Sequence, residues 1–219
     1  RTQGVPQARF TSDSGCIADT LCLVDQSIPA EGALDSRISQ FDITDPTSLV
    51  LGNPGCYPYP DSGVYQIRLT AIDEFGCADD TTNTVVISSI PRSLFAADSV
   101  CVGDTTRFTD LSVSDFGNII SWDWRFGDGS TDSVANPVHV YQNPGVYNVR
   151  LIVRNPIGCP HDTILPVVVF SPPTVLFTTD TACYGEQTNF SDASSNLPYG
   201  TITSWLWNFD TSNSGVFTD

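Results

Sequence analysis

The chain repeats itself, and the repeat decides more about its fold than any other feature of its 219 residues. Three segments align: Pro6-Gln-Ala-Arg-Phe10, Pro91-Arg-Ser-Leu-Phe95 and Pro173-Thr-Val-Leu-Phe177. Each Phe is followed six residues later by a cysteine (Cys16, Cys101, Cys183), and each cysteine nine residues later by an aspartate (Asp25, Asp110, Asp192). The far ends match too. Ser62-Gly-Val-Tyr-Gln-Ile-Arg-Leu69 parallels Pro144-Gly-Val-Tyr-Asn-Val-Arg-Leu151, and Phe75-Gly-Cys77 parallels Ile157-Gly-Cys159. Phe10 to Phe95 spans 85 residues, while Phe95 to Phe177 and Cys77 to Cys159 each span 82. The spacing predicts a tail of a preceding copy at 1–5, a divergent first copy at 6–90, a second at 91–172, and the first half of a third at 173–219.

Within a copy the apolar residues alternate with period two. Val64–Ile72 and Val146–Val153 are the clearest strands, and Thr84–Ser88 and Leu165–Phe170 read as closing strands. Turns fall at Gly127-Asp-Gly129, Asn143-Pro-Gly145 and Pro54-Gly55. Composition agrees. Of the 25 acidic residues 22 are Asp and three are Glu; all nine basic residues are Arg, and Met is absent. Strong helix formers are thus scarce. About seven short strands in each ~82-residue copy predict an all-β chain of tandem immunoglobulin-like β-sandwiches, the last incomplete. Joints at Pro91 and Pro172-Pro173 leave almost no linker and imply a rod.

A net charge of −16 opposes binding to nucleic acid and to anionic lipid. No apolar run approaches the ~20 residues of a membrane-spanning helix, so no membrane insertion is expected. The missing Lys removes Schiff-base and P-loop chemistry. Seven cysteines without a C-x-x-C spacing favour disulfides in an oxidising compartment over a zinc site.

The second copy carries Trp122-Asp-Trp-Arg-Phe-Gly-Asp-Gly129, then Asn136-Pro-Val-His-Val-Tyr141, then Pro144-Gly-Val-Tyr-Asn-Val-Arg-Leu151. These three blocks, in this order, resemble the PKD domain, an immunoglobulin-like module named after polycystic kidney disease proteins. The first copy keeps Tyr59, Gly63-Val-Tyr65 and Leu69 but has Phe41-Asp-Ile-Thr-Asp45 in place of the Gly-Asp-Gly loop. The third has Trp205-Leu-Trp-Asn-Phe-Asp210 and then departs. The repetition and the cysteines resemble those of long secreted surface adhesins of the Bacteroidota, gliding-associated ones included. In that family such modules are spacers and adhesion units, or accessory modules beside hydrolases.

Equivalent positions suggest one staple per copy, Cys16 with Cys77 and Cys101 with Cys159, each closing about 60 residues at roughly 4 kcal/mol. Cys22 and Cys56 are private to the first copy. They align with Arg107 and Val138, on outward faces of strands expected to pair, and predict a third bridge. Cys183 is left unpaired, its partner expected in the absent half. Trp122, Trp124 and Phe126 alternate on one strand face, as do Trp205, Trp207 and Phe209; core packing with Phe95, Phe108, Tyr141, Tyr147 and Leu151 is expected over a sugar-stacking platform.

His139 and His161 are the only histidines and have no motif-linked nucleophile, so no catalytic residue is expected and the chain reads as a non-enzyme. Asp123, Asp128 and Asp132 are the best calcium candidates, though no D-x-D-x-D-G ladder is present; otherwise no cofactor is implied. Eleven of the 22 Asp precede Ser or Thr, and seven sites fit a Bacteroidota O-glycosylation pattern: Thr20, Thr81, Ser99, Thr105, Ser133, Thr163 and Thr181. Asn189-Phe-Ser191 is an N-glycosylation sequon.

The expected role is a non-catalytic segment of an extracellular, cell-surface fibre or adhesin. Its partners would be neighbouring repeats or identical chains, with surface glycans or a host or substrate surface as further contacts. Two other readings stand beside it. One is a carbohydrate-binding or spacer region of a secreted hydrolase, which calls for a row of exposed aromatics (Tyr57, Tyr59, Tyr199). The other is a subunit that polymerises by strand complementation.

Overall fold

The computed structural model describes residues 4–52, 55–196 and 201–209. The chain is all-β, with a single 3-10 turn at Pro46–Ser48 among the described residues. It forms two compact units. The first comprises 1–94 with segments 112–122 and 152–162; the second comprises 95–111, 123–151 and 163–219. These units cut across the boundaries that the repeat suggests.

In the first unit a five-stranded sheet has the order Gly15–Cys16, Ala78–Ser88, Gly63–Asp73, Leu34–Gln40, Leu49–Leu51. Opposite it lie two short pairs, Phe10–Thr11 with Val24–Asp25 and Thr20–Cys22 with Cys56–Pro58. Between them sits a core of Phe10, Leu21, Leu23, Phe41, Tyr59, Ile67, Leu69, Val85 and Ile87. Period-two alternation puts Ile67, Leu69, Ala71 and Asp73 on the inward face of one strand. Each fully buried Leu or Ile contributes about 1.5–3 kcal/mol of burial.

The second copy repeats the plan: a five-stranded sheet of order Val100–Cys101, Pro160–Phe170, Gly145–Arg154, Ser121–Arg125, Thr131–Asp132, and a three-stranded one of Phe95–Ala97, Thr105–Asp110, Val138–Val140. The closing strands, Ala78–Ser88 and Pro160–Phe170, are eleven residues each, about twice the length legible from the apolar run alone. Trp124 is fully buried, edge-on to Phe95 at 5.1 Å, with its Nε1–H donating to the Val134 carbonyl at 3.0 Å. Phe108, Phe126, Tyr141 and Leu151 are buried with it, whereas Trp122 and Tyr147 are half-buried.

The Phe–Cys–Asp spacing now has a structural meaning. Phe10 pairs with Asp25, Phe95 with Asp110 and Phe177 with Asp192, the same antiparallel register three times. Among the described residues of the third copy, Phe177–Thr179 pairs with Phe190–Asp192, and Thr174 bridges Ser195. There Phe177, Phe190 and Phe209 are exposed, where their second-copy counterparts Phe95, Phe108 and Phe126 are buried.

Candidate functional site

Three places could carry function: the Gly-Asp-Gly loop with His139, the aromatic side chains, and the cysteines. In the loop, Gly127 has φ 86°, and a β-carbon there would meet the Asn148 carbonyl oxygen at 3.0 Å, so glycine is required. The turn it makes brings Asp128 to the His139 ring. His139 Nε2 lies 2.7 Å from Asp128 Oδ2 and 3.2 Å from Ser130 Oγ. The ring stacks on Phe126, centroids 4.4 Å apart and planes 5° apart.

An Asp, a His and a Ser in contact suggest a hydrolytic triad, and the geometry refuses it. In a triad the carboxylate holds one ring nitrogen and the hydroxyl meets the other. Here both oxygens face the same nitrogen, and the Ser130 hydroxyl and N–H both donate to Asp128 Oδ1. The serine proton is directed at the carboxylate, not at a base. Burial alone would raise the Asp128 carboxyl, but the Ser130 and His139 hydrogen bonds outweigh it and hold the group at about 2. The cluster is a lock on the loop. His161 is likewise committed: its Nδ1 accepts the Ser93 N–H at 3.0 Å.

The calcium candidates do not converge. Asp128 is held as described, Asp132 Oδ1 accepts the N–H of Ser133 and Val134, and Asp123 pairs with Arg125 at 3.3 Å. Among the described residues no group of three His, Cys, Asp or Glu could hold a metal ion. Nor do the tyrosines form a platform. Tyr59 is buried, its hydroxyl donating to the Phe41 carbonyl at 2.7 Å, and its ring is edge-on to Tyr57 at 78°. Tyr199 lies outside the described residues. Of the glycosylation candidates, Thr20, Ser99, Thr105, Ser133 and Thr181 are exposed, and Thr81 and Thr163 are half-buried.

The cysteines correct the pairing read from the repeat. Cys22 and Cys56 sit directly opposite one another and are joined, as Arg107 and Val138 sit opposite in the second copy. Cys16, however, is joined to Cys159, with Cα atoms 5.6 Å apart, and not to Cys77. Cys77 and Cys101 are free thiols, as is Cys183. The reason is sheet register. Cys16 pairs in parallel with Ser88, the last residue of Ala78–Ser88, while Cys77 precedes the first. At ~3.3 Å per residue the two lie about 36 Å apart along that strand, and a disulfide needs Cα atoms within ~7 Å. Cys101 pairs with Phe170 at the end of Pro160–Phe170, and Cys159 precedes its start, so the same distance forbids Cys101–Cys159.

One residue that the sequence reading passed over holds the bridge. Asn155 Oδ1 accepts the N–H of Ile157 and of Cys159, at 3.1 and 3.0 Å, which folds the hairpin that presents Cys159. Its Nδ2 donates to Ser88 Oγ at 2.6 Å and to the Ser89 carbonyl at 3.1 Å. Asn155 is fully buried. The signal was available: Asp73 and Asn155 stand 82 residues apart, each four before a cysteine.

These features define an immunoglobulin-like tandem sandwich whose chemistry lies in its disulfides. Residues 90–169 match the family model of the PKD domain. A collagenase of Bacillus cereus is 48% identical over 50 residues, covering 23% of this chain and 5% of the enzyme. A microbial collagenase of Vibrio alginolyticus is 36% identical over 77 residues, 34% of this chain and 10% of the enzyme. The chain thus spans no more than a tenth of these relatives. Among solved structures, the N-terminal eight Ig domains of Down Syndrome Cell Adhesion Molecule superpose with a TM-score of 0.50 at 13% identity, covering 96% of this chain and 30% of that one, which speaks to fold alone. Residues 90–169 are thus similar to the PKD domain, and stretches of 50 and 77 residues are similar to small parts of these two collagenases. Among the described residues no helix is long and apolar enough to cross a membrane.

Proposed function

We propose that this chain is a non-catalytic spacer region of a secreted multidomain hydrolase, built of PKD-type repeats at 6–90, 91–172 and from 173 onward. The observation that carries this reading is the sequence likeness to two collagenases over a stretch that is a small part of each enzyme. Locked histidines and dispersed carboxylates fit a module that positions other domains and does no chemistry itself. The test is to isolate the native protein with antibodies raised against this chain and assay it on gelatin, collagen and polysaccharides. Hydrolysis that co-purifies with the antigen in the culture medium supports the spacer. Antigen retained on cells as a fibre without hydrolytic activity refutes it.

A second reading, a segment of a cell-surface adhesin or fibre, is favoured by the repetition of whole modules. In that case the O-glycosylation candidates would bear glycans, detectable as hexose increments on the peptide holding Ser99 and Thr105.

A further inference from the structure

Two kinds of cysteine recur in this chain, and the one bond between repeats joins one of each kind. Cys16 and Cys101 end the two-residue strands Gly15–Cys16 and Val100–Cys101, and Cys183 holds the same place in the third copy; each is a turn cysteine, followed by a turn in which the N–H three residues on donates to the cysteine carbonyl, at 3.0, 3.1 and 2.9 Å. Cys77 and Cys159 end a hairpin folded by an Asx side chain four residues earlier. Asp73 Oδ1 accepts the N–H of Phe75 and Cys77 at 3.0 and 2.8 Å, as Asn155 does for Ile157 and Cys159.

We propose that Cys16–Cys159 is one rung of a series in which the turn cysteine of each repeat bonds the hairpin cysteine of the next. Cys101 then takes the hairpin cysteine of a further copy of this repeat, and Cys77 the turn cysteine of another. The surroundings of Cys101 reproduce those of Cys16. Cys101 pairs in parallel with Phe170, and the Val102 N–H donates to the Phe170 carbonyl at 2.8 Å. Cys16 pairs with Ser88, and the Ile17 N–H donates to the Ser88 carbonyl, also at 2.8 Å. Cys101 is exposed, and its register keeps it from Cys159, so a disulfide at Cys101 must reach a cysteine outside its own repeat. The series departs from strict repetition at one point. Asp73 stands where Asn155 donates, so a repeat docking on Cys77 must offer a hydroxyl or N–H to Asp73.

Each rung forms by thiol–disulfide exchange. Two thiols lose two protons and two electrons, one sulfur–sulfur bond forms, and a low-molecular-weight or protein disulfide is reduced to its two thiols. The inference holds equally for a spacer and for a fibre, and its test does not involve hydrolytic activity.

The test is disulfide mapping of the native protein, isolated unreduced with free thiols alkylated first, then cleaved at arginine. Cleavage leaves Cys77 alone in 69–92 and Cys101 alone in 93–107. The expected result is peptide 10–37 cross-linked both to 38–68, through Cys22–Cys56, and to the peptide that begins at Asn155, through Cys16–Cys159, with peptide 93–107 cross-linked to a peptide from outside 1–219 that carries a Gly-Cys hairpin. Peptide 93–107 cross-linked to the Asn155 peptide, or recovered alkylated, overturns the proposal. Comparing the intact mass before and after reduction separates the two sources of the partner. An unchanged chain mass places it in the same polypeptide, and a fall to smaller chains places it in a second copy.

Discussion

Replacing Asp128 by Asn should destabilise the second copy at neutral pH and leave it nearly unaffected in strong acid. The Asp128 carboxyl is held at about 2 in the folded chain against an ordinary 3.8, with its side chain only 26% exposed. A depressed carboxyl binds fewer protons folded than unfolded, so its contribution is complete above 3.8 and is lost as pH falls through 2. At 1.36 kcal/mol per pH unit the shift sets a ceiling of about 2 kcal/mol, and solvent screening on this exposed loop lowers it to about 1 kcal/mol. Asn keeps the shape and can still accept from Ser130, so the difference between the proteins isolates the ionised carboxylate and its bond to His139. The assay is urea unfolding followed by the fluorescence of Trp124, the buried indole of this copy. Wild type and D128N should differ by about 1 kcal/mol at neutral pH, and their stabilities should converge below the folded value. An equal loss at both ends of the range would mean that packing of the loop, not the charge, is responsible.

Four further variants test single features. Tyr141→Phe removes the hydroxyl that donates to the Phe126 carbonyl at 3.0 Å; an orphaned buried carbonyl costs about 1–3 kcal/mol by denaturant titration, and Tyr59→Phe should do the same to the first copy. Gly127→Ala should cost more than the ~1 kcal/mol typical of a strained left-handed position, because the added β-carbon also meets the Asn148 backbone; thermal melting reads it. Cys22→Ser with Cys56→Ser opens a loop of 34 residues and should lower first-copy stability by about 4 kcal/mol in the chain-entropy treatment, while leaving the second copy's transition in place.

Most of the fold was written in local chemistry. The alternation in Val64–Ile72 and Val146–Val153 gave the central strands, and the aligned pairs Cys22 with Arg107 and Cys56 with Val138 gave a cross-strand register that the structure repeats. What local pattern could not give was the parallel pairing of Gly15–Cys16 with the far end of Ala78–Ser88. That register is long-range, and the polar half of the closing strand, Asp79 to Asn83, hides its length: the strand is eleven residues, not five. Underestimating it brings Cys16 and Cys77 falsely close. The role of Asn155 was hidden for a related reason, since a buried amide is recognisable only once both groups it bridges are known to be near it. The His139 cluster was the reverse case. Its residues were visible in sequence, but only the shared ring nitrogen shows that they lock a loop.

Sheet register also sets what force can do to this chain. A pull on the two ends passes through the Cys16–Cys159 bond, so the 143 residues it closes are shielded from extension until it is reduced. Cys22–Cys56 is nested inside and carries no load until the outer bond opens. Reduction under tension should therefore give one large step, the 143-residue span less the 34 residues still closed, followed by a smaller one. At ~3.5 Å per extended residue these are about 380 and 120 Å. Staples within each repeat would behave differently. Cys16–Cys77 and Cys101–Cys159 would close 61 and 58 residues, and their largest step would be about 200 Å. Single-molecule extension in reducing buffer distinguishes the two, and a trace without a step well above 200 Å would refute the bond between repeats. Placing turn and hairpin cysteines at opposite ends of an eleven-residue strand is what makes the difference. A sandwich built this way cannot staple itself with those two residues.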